Sequence, residues 1–246
     1  MSIKTAILAL APAVYWPLDD TNSSTAADAS GNGHTGIFLG PVALGAPGPE
    51  AGTTCLASSA YPGGVNVQGN NPFPGTPPVT MMCWFGATSL ATSGNVLLYD
   101  GNSAATGTGL TMHGTTLWTL TGGVGTGTTG KVVSEGQWHQ FAFGYSPGVH
   151  YEVWVDGVSV QGGAIGTYNP VLVGNALDGV TPDAGLLAHV AFWGSLLTTA
   201  QVLGVWNAGP GLVPVPPVTG RAATDADILA LETKLDAILA SVRKRY

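Results

Sequence analysis

Residues 136–158 read GQWHQFAFGYSPGVHYEVWVDGV, and this stretch decides the fold. Phe141, Phe143 and Tyr145 share one parity, as do Tyr151, Val153 and Val155, with Ser-Pro-Gly between the two runs. Side chains alternate across a strand, so each run offers one apolar face, and the short turn makes the pair an antiparallel hairpin. Those faces are expected to meet the core. The opposite face of the second strand carries Glu152, Trp154 and Asp156, an accessible aromatic between two acids if that side of the sheet meets solvent.

Short apolar or alternating segments recur on both sides of the hairpin, separated by turn residues. They include AVYWPL (13–18), GIFLG (36–40), TCLA (54–57), VTMMCWFGA (79–87), NVLLYD (95–100), TLWTL (116–120) and LLAHVAFW (186–193). Such spacing predicts a sandwich or barrel. Composition agrees: 37 glycines and 17 prolines exclude long helices over most of the chain, while 45% hydrophobic residues and seven tryptophans supply a core and argue against disorder. Residues 1–220 hold ten carboxylates against Lys4 and Lys131. A phosphate-binding surface is thereby excluded from the main domain, and nucleic acid with it.

The opening MSIKTAILALAPA imitates a secretory signal, with Lys4 before an apolar run, but cleavage after Ala13 would cut into an expected first strand, Val14 to Leu18. We therefore expect no signal peptide, and no apolar run is long enough to insert in a membrane. Cys55 and Cys83 lie outside any metal-finger spacing and read as buried free thiols, or as a single bridge. A short helix is expected over Thr198 to Ala208, capped by Thr198 or Thr199 and stopped by Gly209-Pro210, packing against the sandwich edge.

The expected domain spans 1–209. Residues 210–221 contain Pro210, Pro214, Pro216 and Pro217 and read as a semi-rigid spacer. Beyond it, over 222–246, Ile228, Leu231, Leu235, Ile238 and Val242 fall at spacings of three and four, the seam of a coiled coil. Thr224 or Asp225 caps the start, and Arg243, Lys244 and Arg245 suit the negative end of the helix dipole. A helix this short needs partners, and Leu235 at one a position with Ile238 at the next d favours a homotrimer. The alternative is a helix docked on its own domain or on a neighbouring protein.

Four stretches together resemble the laminin G-like, concanavalin A-like jelly-roll family: AVYWPLDD (13–20), DASGNGHTG (28–36), the hairpin of 136–158 and LLAHVAFWGSLLTTAQVLGVWNAG (186–209). The resemblance implies an all-β fold of two antiparallel sheets packed face to face, often with calcium, and binding of glycans or protein surfaces more often than catalysis. Asp19, Asp20, Asp28 and Asn32 stand as the oxygen donors for a calcium ion, or else as loop and turn residues. Where family members commonly carry Asp-Glu in the closing strand, this chain has Ala188-His189. A jelly roll joined through a proline-rich spacer to an oligomerising helix also resembles, in organisation, bacteriophage minor tail proteins and virion adhesins. That organisation implies a virion protein made in the host cytoplasm, whose partners are other virion proteins and a host cell-surface saccharide. The alternative is a capsid or tail decoration protein that binds no sugar.

Motifs for catalysis fail on their details. GTGTTGK (125–131) matches phosphate-loop patterns, but Val132 replaces the hydroxyl residue such a loop needs, so the segment reads as a Gly/Thr loop. Jelly-roll glucanases need two carboxylates facing one bond, and Glu50, Glu135, Glu152 and Glu232 form no such array. His139 is read as a structural residue of a core strand, and no reaction role is expected for the chain. For glycan stacking, Trp118 and Trp154 are the surface candidates, with Trp84 a further one, Glu152 and Asp156 as neighbours, and His113, Tyr168 and Asn169 as a rim. Ordinary packing is the alternative for each.

Overall fold

The computed structural model describes residues 1–21, 24–40, 42–58, 64–68, 78–86, 95–100, 108–121, 124–146, 149–163, 176–180, 185–209 and 215. Tyr168, Asn169 and the seam residues Ile228, Leu231, Leu235, Ile238 and Val242 lie outside them.

One sheet has eight strands. Its path runs β14 (Val158–Gly163), β13 (His150–Val155), β12 (Trp138–Ser146), β7 (Val79–Gly86), β16 (Gly185–Trp193), β5 (Thr54–Ser58) and β4 (Val42–Pro47), and β1 (Val14–Trp16) pairs with β16. Two four-stranded sheets form the second layer: β11 (Val124–Val132), β10 (Thr116–Thr121), β9 (Thr108–His113) and β8 (Asn95–Asp100) in one, β15 (Ala176–Val180), β6 (Gly64–Gln68), β3 (Gly36–Leu39) and β2 (Thr25–Ala26) in the other. The hairpin pairs Phe141 with Val155, Phe143 with Val153 and Tyr145 with Tyr151, the register its alternation predicts. These side chains join Val79, Met81, Cys83, Phe85, Leu187, Val190 and Phe192 in the core between the layers, where Leu98, Leu110, Met112 and Leu117 meet them from the smaller sheets. Cys55 and Cys83 are both buried and free.

The other face of the large sheet is also buried. Met82, Trp84, Ala142, Trp154, Ala191 and Trp193 point away from the first core into a second one, roofed by α1 (Ile3–Leu8) and α2 (Thr199–Asn207). In α1, Ser2 caps the start, and Ile3, Ala6 and Ile7 face the sheet, which is the use the chain makes of its signal-like apolar run. Thr198 caps α2 in a capping box with Gln201, and Val202 and Val205 are its buried residues. The helix thus lies over the sheet face at its β14 edge, with Leu203 against Gly157 of the β13–β14 turn. Alternation reveals that a strand has two faces, but not what covers the second.

Three further expectations change. The first strand stops at Trp16, because Leu18 turns left-handed at φ +62°. Residues 125–131 belong to strand β11 and pair with β10, since alternating threonine supports extended backbone. The boundary at 209 also moves: Val215, inside the expected spacer, is buried in the outer core and donates its N–H to the Gly136 carbonyl at 3.2 Å. A side chain on Gly86 would place its Cβ 2.4 Å from Val215 Cγ2, so the glycine is what lets the segment lie against the sheet.

Candidate functional site

Strands β9 and β10 form a two-residue hairpin around Gly114 and Thr115, with Gly114 at φ +56° in the first central position, where such turns place glycine. Leu117, Leu110 and Met112 point into the core, so Trp118 and His113 fall on the outer face. Trp118 lies between Thr111 on β9 and Thr128 on β11, half-buried, and the exposed His113 ring packs diagonally on it with centroids 5.3 Å apart. Trp118 and His113 therefore make one aromatic ledge, with exposed Thr128 on one side and buried Thr111 on the other. An indole face held this way can stack on the apolar face of a ring, with the imidazole and the Thr128 hydroxyl beside its polar edge.

Trp154 is corrected. It is 1% exposed and donates its indole N–H to Thr199 Oγ1 at 3.0 Å, so α2 covers the face expected to be open. Trp84 is fully buried as well. Glu152 accepts from the Thr199 hydroxyl at 3.3 Å and stands 3.7 Å from His150. Asp156 is a turn residue: with Gly157 it forms the two-residue connection of β13 to β14, both at positive φ, the Asp-Gly arrangement hairpins favour. Glu152, Trp154 and Asp156 thus do not compose a ligand face.

The calcium donors are likewise occupied by protein groups. Asp28 accepts backbone N–H groups from Tyr15 at 3.0 Å, Ser30 at 2.9 Å and His34 at 2.8 Å. Although burial acts upward on its carboxyl, the hydrogen bonds from Ser30, Tyr15 and His34 outweigh it and hold the pKa below the ordinary value. Asn32 turns its amide NH2 toward the carbonyls of Pro12 and Ala13, Asp19 pairs with Lys4 at 3.1 Å, and Asp20 lies 3.4 Å from the Ala27 N–H. Among the described residues no three His, Cys, Asp or Glu side chains gather as a metal site. Asp28 and Asn32 fasten the loop of residues 28–34 to the first strand, and Asp19 ties to α1 through Lys4. Replacing Asp28 by Ala is expected to cost about 2–3 kcal/mol, read by urea unfolding at pH 7, because three N–H groups lose a charged acceptor.

Sequence reading missed two histidine clusters. His139 Nδ1 lies 2.8 Å from Asp156 Oδ2, and Ser134 Oγ lies 2.9 Å from His139 Nε2. The hairpin register sets Asp156 opposite Gln140, one residue from His139, and nothing in the sequence pattern points to Ser134. His189 sits at a bulge of β16, φ +51°, between the stretch paired with β5 and the stretch paired with β1. The bulge turns His189 to the outer core, where the Tyr15 hydroxyl meets its Nδ1 at 2.7 Å and Trp84 packs edge-on against the ring. Burial drives its pKa down to about 3, with Asp19 opposing and Lys4 assisting. The ring is therefore neutral at pH 7.

Antiparallel sheets packed in two layers around one core define a jelly-roll β-sandwich. The chain belongs to the concanavalin A-like lectin/glucanases superfamily, whose laminin G-like family model matches residues 60–203. Among solved structures it is similar to domain 4 of an extracellular arabinanase from Geobacillus stearothermophilus, solved with arabinotriose, at 16% identity and a TM-score of 0.60, covering 79% of this chain and 97% of that one. The binding domain of botulinum neurotoxin DC, solved with rat synaptotagmin II, is 13% identical with a TM-score of 0.59, covering 83% of this chain and 53% of that one. A Trypanosoma rangeli sialidase solved with sialic acid is 12% identical with a TM-score of 0.59, covering 78% and 32%. At these identities the likeness shows the fold alone. No curated protein matches in sequence.

Proposed function

We propose that the chain is a saccharide-binding head of a bacteriophage virion protein, and that its ligand stacks on Trp118. The observation that carries the reading is the outward, half-buried Trp118 with the exposed His113 packed on it and exposed Thr128 beside it. Support by likeness comes from the arabinanase domain solved with arabinotriose. The acidic balance of the domain disfavours polyanions and leaves neutral sugars as the ligand class. The seam at Ile228, Leu231, Leu235, Ile238 and Val242 supports a homotrimer attached to other tail proteins through its C-terminal end. Three heads on one stalk would raise avidity for a repetitive cell wall without strengthening any single contact.

Fluorescent full-length protein on a panel of bacterial cells and purified cell walls tests the reading. We expect labelling of a narrow set of strains, weakened about 30-fold by Trp118→Ala, the loss of ~2 kcal/mol typical of an anchoring aromatic. Labelling that Trp118→Ala leaves unchanged would overturn the assignment of the ledge. Absence of labelling with the host in the panel would favour a decoration protein that binds no sugar.

A further inference from the structure

The geometry points to a second, covalent chemistry: Ser134, His139 and Asp156 form an acyl-transfer centre that removes ester-linked acyl groups from the saccharide held at the neighbouring ledge. The ester substrate class rests on the three side chains; its being carried on a saccharide rests on the reading of Trp118 above.

A serine hydroxyl is a weak nucleophile until a base takes its proton, and the base needs a third group to fix its ring. All three parts stand in hydrogen-bonded series, at 2.9 Å from Ser134 Oγ to His139 Nε2 and 2.8 Å from His139 Nδ1 to Asp156 Oδ2. An ionised carboxylate only accepts, so Asp156 fixes the proton of neutral His139 on Nδ1 and leaves the Nε2 lone pair toward the serine. Asp156 is itself immobilised: its Oδ1 accepts the Gln140 N–H at 3.0 Å, and its own N–H donates to the Gln140 carbonyl at 2.9 Å. It is a positioning residue. Ser134 is open to solvent, while the side chains of His139 and Asp156 behind it are 11% and 26% exposed.

The loop that carries Ser134 is tied at both ends. Val133 donates its N–H to Thr115 in the β9–β10 turn at 2.9 Å, and Gly136 accepts from Val215 at 3.2 Å. The first tie places the serine beside the turn that presents His113, with Val132 paired to Thr116 one step before it. A ring stacked on Trp118 would thus lie at the same end of the molecule as the nucleophile.

The reaction balances with water as the only co-reactant. Ser134 Oγ bonds to the acyl carbon as its proton passes to His139 Nε2, and the ester C–O bond breaks with that proton going to the departing sugar oxygen. Water then attacks the acyl-serine, gives its proton to Nε2, and releases the carboxylic acid as Ser134 recovers its hydrogen. The Ser134 carbonyl, 3.2 Å from Nε2, accepts from the imidazolium while it carries the proton.

The test uses the full chain, a fluorophosphonate probe and p-nitrophenyl acetate. We expect one phosphonyl adduct, mapped to Ser134 by mass spectrometry, and ester turnover that falls at least ~100-fold in Ser134→Ala, the scale of general-base catalysis. Ser134 is exposed, so that variant is expected to fold, which circular dichroism checks. A folded protein with no adduct at Ser134, or with equal turnover in Ser134→Ala, overturns the proposal. Because p-nitrophenyl acetate carries no sugar, its hydrolysis reads the serine centre separately from saccharide capture, which cell labelling reads.

Discussion

Trp154→Ala is expected to destabilise the domain by about 3–5 kcal/mol in urea unfolding, the range for truncating a large buried aromatic. The indole lies between the outer face of the hairpin and α2, is 1% exposed, and is bonded to Thr199 in the first turn of that helix. Truncation leaves a void under α2 and strips the Thr199 hydroxyl of one partner. Trp154→Phe keeps most of the ring volume and loses the hydrogen bond, so a cost nearer ~1 kcal/mol from that bond is expected, plus a smaller packing loss. The pair of variants separates packing from the polar contact. An unchanged unfolding midpoint in Trp154→Ala would mean that the outer face is open to solvent and that α2 does not roof it.

Acid is expected to weaken the fold well before carboxylates begin to protonate, and His189 is the reason. Its folded pKa is about 3 against an ordinary 6.5, so above pH 6.5 the ring is neutral in both folded and unfolded chains and its contribution is complete. As the pH falls below 6.5 the unfolded chain takes up a proton that the folded chain refuses, and stability drops by roughly 1.4 kcal/mol per pH unit until the folded ring protonates near 3. Between pH 6.5 and 4.5 the loss is on the order of 2–3 kcal/mol. The neighbours do not reverse the sign: Glu50 Oε2 is 3.9 Å from Nε2, beyond hydrogen-bonding distance, and Asp19 is engaged by Lys4. Asp28 adds a loss of the same sign only at lower pH, since its depressed pKa gives stability that is complete above the ordinary carboxylate range and falls below it. His189→Asn, which tolerates the left-handed backbone at this position, is expected to be less stable at pH 7 but to lack the slope between pH 6.5 and 4.5. Thermal melts across that window decide it, and an equal slope in both proteins would place the acid sensitivity elsewhere.

The sandwich was legible in the chain because its hairpin obeys one parity over six aromatic and aliphatic residues, and parity is what sets a strand's inner face. The same alternation said nothing about the reverse side. Trp84 and Trp154 looked available because their covers come from residues 3–8, 199–207 and 215, far from them in sequence. Residue type and local pattern mark Trp118 and His113 as candidates, but their contact depends on the tight turn at Gly114 and the diagonal it creates. In sequence, an acidic loop residue such as Asp28 looks the same whether it faces a cation or three peptide N–H groups. Ser134 lay beyond reach for another reason: a serine in a loop has no periodicity, and only the fold shows which histidine it meets.

Val215 also determines how tension would enter this protein. A pull on the chain from its C-terminal side reaches residue 215 before α2, and is met there by one N–H to carbonyl bond and by valine methyls lodged against Gly86. Should that clip release, the load passes along the chain to α2 and then β16, the described elements that precede it. The clip is a sacrificial link in series with the sandwich, and a brief tug would be dissipated there while the strands stay paired.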